Sequence, residues 1–161
     1  MTTDALWYFA YGSNMQRATF VERRGMKPQR SVWGRLPGYR LTFDLPVGPG
    51  ERGVANLIAD ASGTTYGVLH LISSEEFDVL DRTEGVNNGF YTRLAVEVTD
   101  RGGTRTPAWT YVSTFGVPGR KPSARYIGLL LEGALEHELP EEYLHVLRAF
   151  DLAVDERAQP G

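Results

Sequence analysis

The sequence contains no cysteine. That absence removes disulfides, thiolate zinc sites, iron–sulfur clusters and every cysteine-nucleophile mechanism at once. Histidine is scarce too. Only His70, His137 and His145 occur, a poor constellation for a metal site, so neither metal nor cofactor is expected. No segment approaches the ~20 apolar residues needed to span a bilayer. The first residues carry Asp4 and no basic stretch, and the apolar run at 5–10 is too short for a signal segment. A soluble cytoplasmic protein is the expectation. No G-x-G-x-x-G is present, residues 116–121 (GVPGRK) lack the span of a P-loop, and no G-x-S-x-G supports a serine–histidine hydrolase. An excess of positive charge is also missing: 17 Lys and Arg against 20 Asp and Glu leave a net charge of −3, which argues against nucleic-acid or membrane partners.

What is present reads as one globular domain over residues 1–161. The length is 161 residues, with 42% hydrophobic and 23% charged residues, close to ordinary globular usage and enough for a core without staples. Glycine-bearing punctuation falls at short intervals between brief β-type runs. Strands are expected at 6–11, 31–36, 39–45, 54–60, 65–72, 91–99 and 106–113, with turns at Pro37-Gly38 and Ser62-Gly63. A polar helical stretch is expected from Met15 to about Arg24. Ser73 and Glu76 have capping-box spacing at the head of a helix that Gly85 stops. Ser123 stands as N-cap of a helix over 124–137, Pro140 starts a last helix, and the tail 155–161 is expected to fray. Short strands mixed in order with a few helices give an α+β class: a small, mostly antiparallel, curled or closed β-barrel with flanking helices.

Two places carry chemistry. Tyr11-Gly12-Ser13-Asn14 lies between a strand and a helix start, where backbone N–H groups and the helix terminus favour a carboxylate or a developing oxyanion. Taken alone, it is better explained as a plain turn with Ser13 or Asn14 as cap. Glu84 sits in the last turn of its helix. There the negative end of the helix dipole and Asp81, three residues back, both disfavour its charged form. A carboxylate so placed in a pocket suits a general base that takes a proton from an ammonium group. Its bland counterpart is a solvated helix-end carboxylate paired with Arg82 or Arg93. Tyr91, Tyr111 and Tyr126 offer phenol groups for a ligand, or core rings with a wet tip.

Several segments together resemble the γ-glutamylcyclotransferase-like (AIG2-like) family. Tyr8-Phe9-Ala10-Tyr11-Gly12-Ser13-Asn14-Met15 looks like its glycine-bearing signature, and Leu80-Asp81-Arg82-Thr83-Glu84-Gly85-Val86 resembles its acid-containing segment. Gly34-Arg35-Leu36-Pro37-Gly38-Tyr39-Arg40-Leu41, Thr65-Tyr66-Gly67-Val68-Leu69, Gly89-Phe90-Tyr91 and Pro122-Ser123-Ala124-Arg125-Tyr126 follow in order, so the likeness covers about residues 7–150. The resemblance implies a barrel-centred fold and a metal-free, cofactor-free intramolecular aminolysis, in which the α-amine of a γ-glutamyl group attacks its own γ-carbonyl and releases 5-oxoproline. It maps the general acid/base onto Glu84. It maps substrate binding onto Tyr8, Phe9, Ala10, Tyr11, Gly12, Ser13 and Asn14, with Tyr91, Tyr111 and Tyr126 lining the site. The Gly-Ser-Asn-Met loop resembles cyclotransferases for γ-glutamyl amino acids rather than γ-glutamylamines. Removal of a γ-glutamyl protecting group from a biosynthetic intermediate is a related alternative. The rival from another class is a non-catalytic module binding a γ-glutamyl or carboxylate metabolite. The expected partner is a small γ-glutamyl substrate, and the chain is expected to be a monomer or homodimer.

Overall fold

A computed structural model describes residues 4–154. The expected fraying of 155–161 lies outside the described residues. Five strands close into a barrel in the order β1-β3-β2-β4-β5. They are β1 (Ala5–Ala10), β2 (Arg30–Pro46), β3 (Gly53–Ser73), β4 (Thr92–Asp100) and β5 (Arg105–Val112). All neighbours are antiparallel except β1 and β5, which meet in parallel at Tyr8 and Trp109 and seal the barrel. Closure gives every strand a neighbour on both sides, through a single pair at the β1–β5 seam and two pairs between β2 and β4, and encloses a core. The expected fold class is the observed one.

The strand count differs from the sequence expectation, for a physical reason. Residues 31–36 and 39–45 belong to one 17-residue strand, and residues 54–60 and 65–72 to one 21-residue strand. Pro37-Gly38 and Ser62-Gly63 are not turns between strands. The ladder jumps from Pro37 opposite Thr64 to Tyr39 opposite Ala59, so Gly38, at φ +88°, faces residues 60–63 across an irregularity. Ser62 gives its N–H and hydroxyl to Asp60 Oδ1 at 3.0 and 2.9 Å. Local turn chemistry is thus present, but it bends two long strands around the barrel as a bulge does.

Helices pack around this barrel. The expected helix from Met15 to Arg24 is split into a single 3-10 turn (Ser13–Met15) and a π-helix (Ala18–Arg23). Helix α1 (Ser74–Thr83) has the predicted capping box: Ser73 Oγ accepts from Glu76 N–H at 3.1 Å, and Glu76 Oε1 accepts from Ser73 N–H at 3.2 Å. Its apolar face buries Phe77 and Leu80, and Gly85 terminates it at φ +74°. Helix α2 (Ala124–Glu136) starts where Ser123 Oγ accepts from Tyr126 N–H at 3.0 Å. Helix α3 (Glu141–Arg148) follows Pro140. Phe9, Leu69, Ile72, Phe77, Leu80 and Leu130 are fully buried in one core that joins barrel and helices. That core fixes the C-terminal end of α1 against the end of β1. No helix of the described residues is long and apolar enough to cross a membrane.

Candidate active site

A hollow of about 240 Å³ opens where β1 ends, bounded by the 3-10 turn, the C-terminus of α1 and the first residues of α2. Of the residues expected at a site, Tyr8, Tyr11, Gly12, Ser13 and Asn14 line it from one side, and Glu84, Tyr91, Tyr111 and Tyr126 from the others. Phe9 and Ala10 do not line it. Both are completely buried: alternation turns Phe9 to the face opposite Tyr8, and Ala10, on the same face as Tyr8, is packed over by the core. Phe9 contributes only its carbonyl, which accepts from Thr110 Oγ1 at 2.7 Å.

Asn14 holds the centre of the arrangement. Its Nδ2 donates to Glu84 Oε1 and to Tyr8 Oη, each at 2.9 Å, while its Oδ1 accepts from Arg24 Nε at 2.6 Å. The guanidinium can only donate, so the amide orientation is fixed. The backbone carbonyl of Asn14 accepts from His70 Nε2 at 3.0 Å, and His70 Nδ1 takes the Ser31 hydroxyl at 2.8 Å. A carbonyl can only accept, which assigns the neutral Nε2–H tautomer. Burial pushes the His70 pKa from 6.5 down to about 3, and the ring stacks on Phe20. His70 is a buried structural group, and among the described residues no histidine lines the hollow.

Glu84 and Arg24 are the two charged side chains in the lining, and Glu84 is its sole carboxylate among the described residues. Asp81 was expected to add a bare like charge beside Glu84. It does not, because Arg93 grips it through Nε and Nη2 at 2.9 and 2.7 Å, and Tyr111 donates to it at 2.6 Å. The same clamp removes Arg93 as a partner for Glu84.

The five phenols of the hollow are all held protonated. Burial is the largest cause of the raised pKa of Tyr8, Tyr11, Tyr91, Tyr111 and Tyr126; the Glu84 charge adds to it at Tyr8, and the hydrogen bond to Asp81 at Tyr111. None of them is a base at neutral pH. Three have already committed their O–H: Tyr11 to the Tyr111 carbonyl, Tyr91 to the Ala55 carbonyl at 3.0 Å, and Tyr111 to Asp81. Tyr8 accepts from Asn14, and Tyr126 accepts from Ala55 N–H at 3.3 Å, which leaves their own protons for a ligand. Gly12 relieves this crowding, since a Cβ there would stand 3.0 Å from the Tyr126 hydroxyl and 3.2 Å from Ala55 Cβ and would push its neighbours back by a few tenths of an ångström.

Sequence reasoning did not identify Arg24, Val54 or Ala55, which also line the hollow. Arg24 caps the π-helix ten residues after Asn14, and the other two come from β3; no local motif marks any of them.

The AIG2-like family model matches residues 64–147. Mouse γ-glutamylcyclotransferase is 30% identical over 155 residues, spanning 92% of this chain and 80% of the mouse protein. A γ-glutamyl cyclotransferase of Aspergillus oryzae is 30% identical, over 89% of this chain and 60% of the fungal protein. The crystal structure of an uncharacterized human protein superposes with a TM-score of 0.82 at 26% identity, covering 92% of this chain and 89% of that one.

Proposed function

The chain belongs to the γ-glutamylcyclotransferase-like family, and on that premise we propose that it converts a γ-glutamyl amino acid to 5-oxoproline and the free amino acid, with Glu84 as the proton carrier. The observation that carries this reading is the lone carboxylate of the hollow, fixed through one oxygen by Asn14 Nδ2 at 2.9 Å and ringed by phenols that stay neutral. A glutamyl group brings one ammonium and one carboxylate, and the hollow answers with one carboxylate, Glu84, and one guanidinium, Arg24.

In the reaction, Glu84 takes a proton from the α-ammonium, and the freed amine attacks the γ-carbonyl carbon four atoms along its own chain. The new C–N bond closes a five-membered ring. The carbonyl oxygen becomes an oxyanion facing the first N–H groups of the 3-10 turn, which a helix start leaves without intrahelical partners. Tyr8 and Tyr126 have hydroxyl protons to add. Glu84 returns its proton to the departing nitrogen as the old C–N bond breaks. The extra proton on the ring nitrogen leaves through the same carboxylate to the released amine. The nucleophile is part of the substrate, so the site needs only orientation, worth roughly 7–11 kcal/mol in well-aligned intramolecular reactions, and a base.

Incubation with γ-glutamyl-alanine tests the proposal. The expected products are 5-oxoproline and alanine. Glutamate and alanine would point to hydrolysis, and binding without either product to a metabolite-binding module. Both outcomes overturn the cyclotransferase reading.

A further inference from the structure

A second hollow, of about 320 Å³, continues from the first and shares Ser13, Val54 and Tyr126 with it as walls. Its character is different. Arg23 from the π-helix, Arg52 from the segment before β3 and Arg125 from the first turn of α2 converge on it, and its lining contains no Asp or Glu. Five arginines elsewhere, Arg40, Arg93, Arg101, Arg105 and Arg148, pair with a carboxylate, whereas among the described residues other unpaired arginines do not gather at one hollow of this kind. Among the described residues no ion pair involves Arg23, Arg52 or Arg125. Arg52 Nε is moreover buried without a hydrogen-bond partner, a condition that calls for an explanation in a folded protein. Three unmatched guanidinium groups at one hollow, on a chain of net charge −3, form a local site for anions.

The shared walls give this hollow a place in the reaction. Glu84 and Arg24 belong to the first hollow and match the two charges of the glutamyl group. The group expelled from the γ-carbonyl then extends past Ser13 and Tyr126 toward the arginines. Val47, Val54 and Leu129 supply apolar surface there for a short stem. A leaving amine with one carboxylate would match one of the three positive charges, and an uncharged amine would match none.

We propose that the arginine-lined hollow is the leaving-group subsite, and that it selects γ-glutamyl donors whose released amine carries two or more anionic groups, carboxylate or phosphate. This inference rests on the cyclotransferase reading and specifies its substrate class.

The test is a series of donors with leaving amines of rising negative charge: γ-glutamyl-butylamine, γ-glutamyl-glutamine, γ-glutamyl-glutamate and γ-glutamyl-O-phosphoserine. The readout is kcat/KM for 5-oxoproline release. The glutamate donor should exceed its near-isosteric glutamine counterpart by about tenfold, the factor for one well-made charge-assisted contact. The ratio should shrink as ionic strength rises. The phosphoserine donor tells whether phosphate serves better than a second carboxylate. Arg125→Gln and Arg23→Gln, both at exposed positions, should bring the glutamate-to-glutamine ratio toward one, and Arg52→Gln should do so further. Equal kcat/KM for the glutamate and glutamine donors overturns the inference and leaves the cyclotransferase reading standing. A ratio that survives the arginine substitutions overturns the assignment of the subsite. Absence of 5-oxoproline from every donor overturns both.

Discussion

Two carboxylates stand three residues apart at the C-terminal end of α1, one in its last turn and one at its cap, and have opposite surroundings. Asp81 is held by two nitrogens of Arg93 and by the Tyr111 hydroxyl. Arg93 in turn lies over the Phe77 ring, 4.1 Å from its centroid. Glu84 has no cation of that kind; one amide proton of Asn14 fixes one of its oxygens. Both residues were visible in the same short segment, and both are acids at the end of one helix. The difference teaches that a carboxylate becomes available for chemistry by being positioned without being neutralised. Asp81 ties helix to barrel, and in the proposed reaction Glu84 is the carboxylate left to exchange protons.

The largest effect expected from breaking this contrast is on Glu84. Glu84→Gln keeps the shape and an acceptor for Asn14 but cannot carry a proton, so turnover should fall by roughly 10²–10⁴-fold, the usual weight of a general acid–base group. Thermal unfolding should scarcely change. A steady-state assay beside a melting curve reads both.

Asp81→Asn should show the reverse pattern. Losing a charge-assisted contact with Arg93 costs about 1.5–3 kcal/mol, read in urea unfolding and as a Tm lower by several degrees. Turnover should drop by less than about tenfold, because Asp81 does not line the hollow and acts through the placement of α1 and Tyr111.

A pH-dependent effect, small near neutrality, concerns His70, which supports Asn14 and through it Glu84. Burial holds the folded pKa near 3 against 6.5 for the free side chain. The unfolded chain therefore takes up a proton that the folded chain refuses. Stability from the neutral ring is complete above about pH 6.5 and is lost as pH falls toward 3, with a slope approaching ~1.4 kcal/mol per pH unit. Urea unfolding at pH 7, 6, 5 and 4 should show this slope in the wild type and a flatter one in His70→Gln. Identical slopes would contradict a buried neutral His70.

Local signals were legible in the sequence, and long-range ones were not. The capping box at Ser73 and Glu76, the Ser123 cap and the stop at Gly85 depend on neighbours within a few residues, and all three stand in the structure. Gly38 and the Asp60–Ser62 contact were equally local, yet the same chemistry that closes a hairpin also bends a long strand. Only the closed barrel decides between them, so seven expected strands became five. At the site, the glycine-bearing turn and Glu84 could be picked out because each lies in a compact motif. Phe9 and Ala10 were included with the turn although both are buried in the core of the folded barrel. The clamp on Asp81 needed β4 and β5 to be folded against α1, and Arg24 needed the split helix. Arg52 lay in a segment with no readable code until β3 and α2 brought it beside Arg23 and Arg125.

The most direct measurement compares 5-oxoproline turnover of Glu84→Gln and Asp81→Asn side by side, on one γ-glutamyl donor, at a temperature where both remain folded. The account predicts that Glu84→Gln is slower by at least an order of magnitude while being the more stable of the two. If the Asp81 variant is as crippled as the Glu84 variant, or if Glu84→Gln turns over like the wild type, the assignment of the proton carrier is wrong.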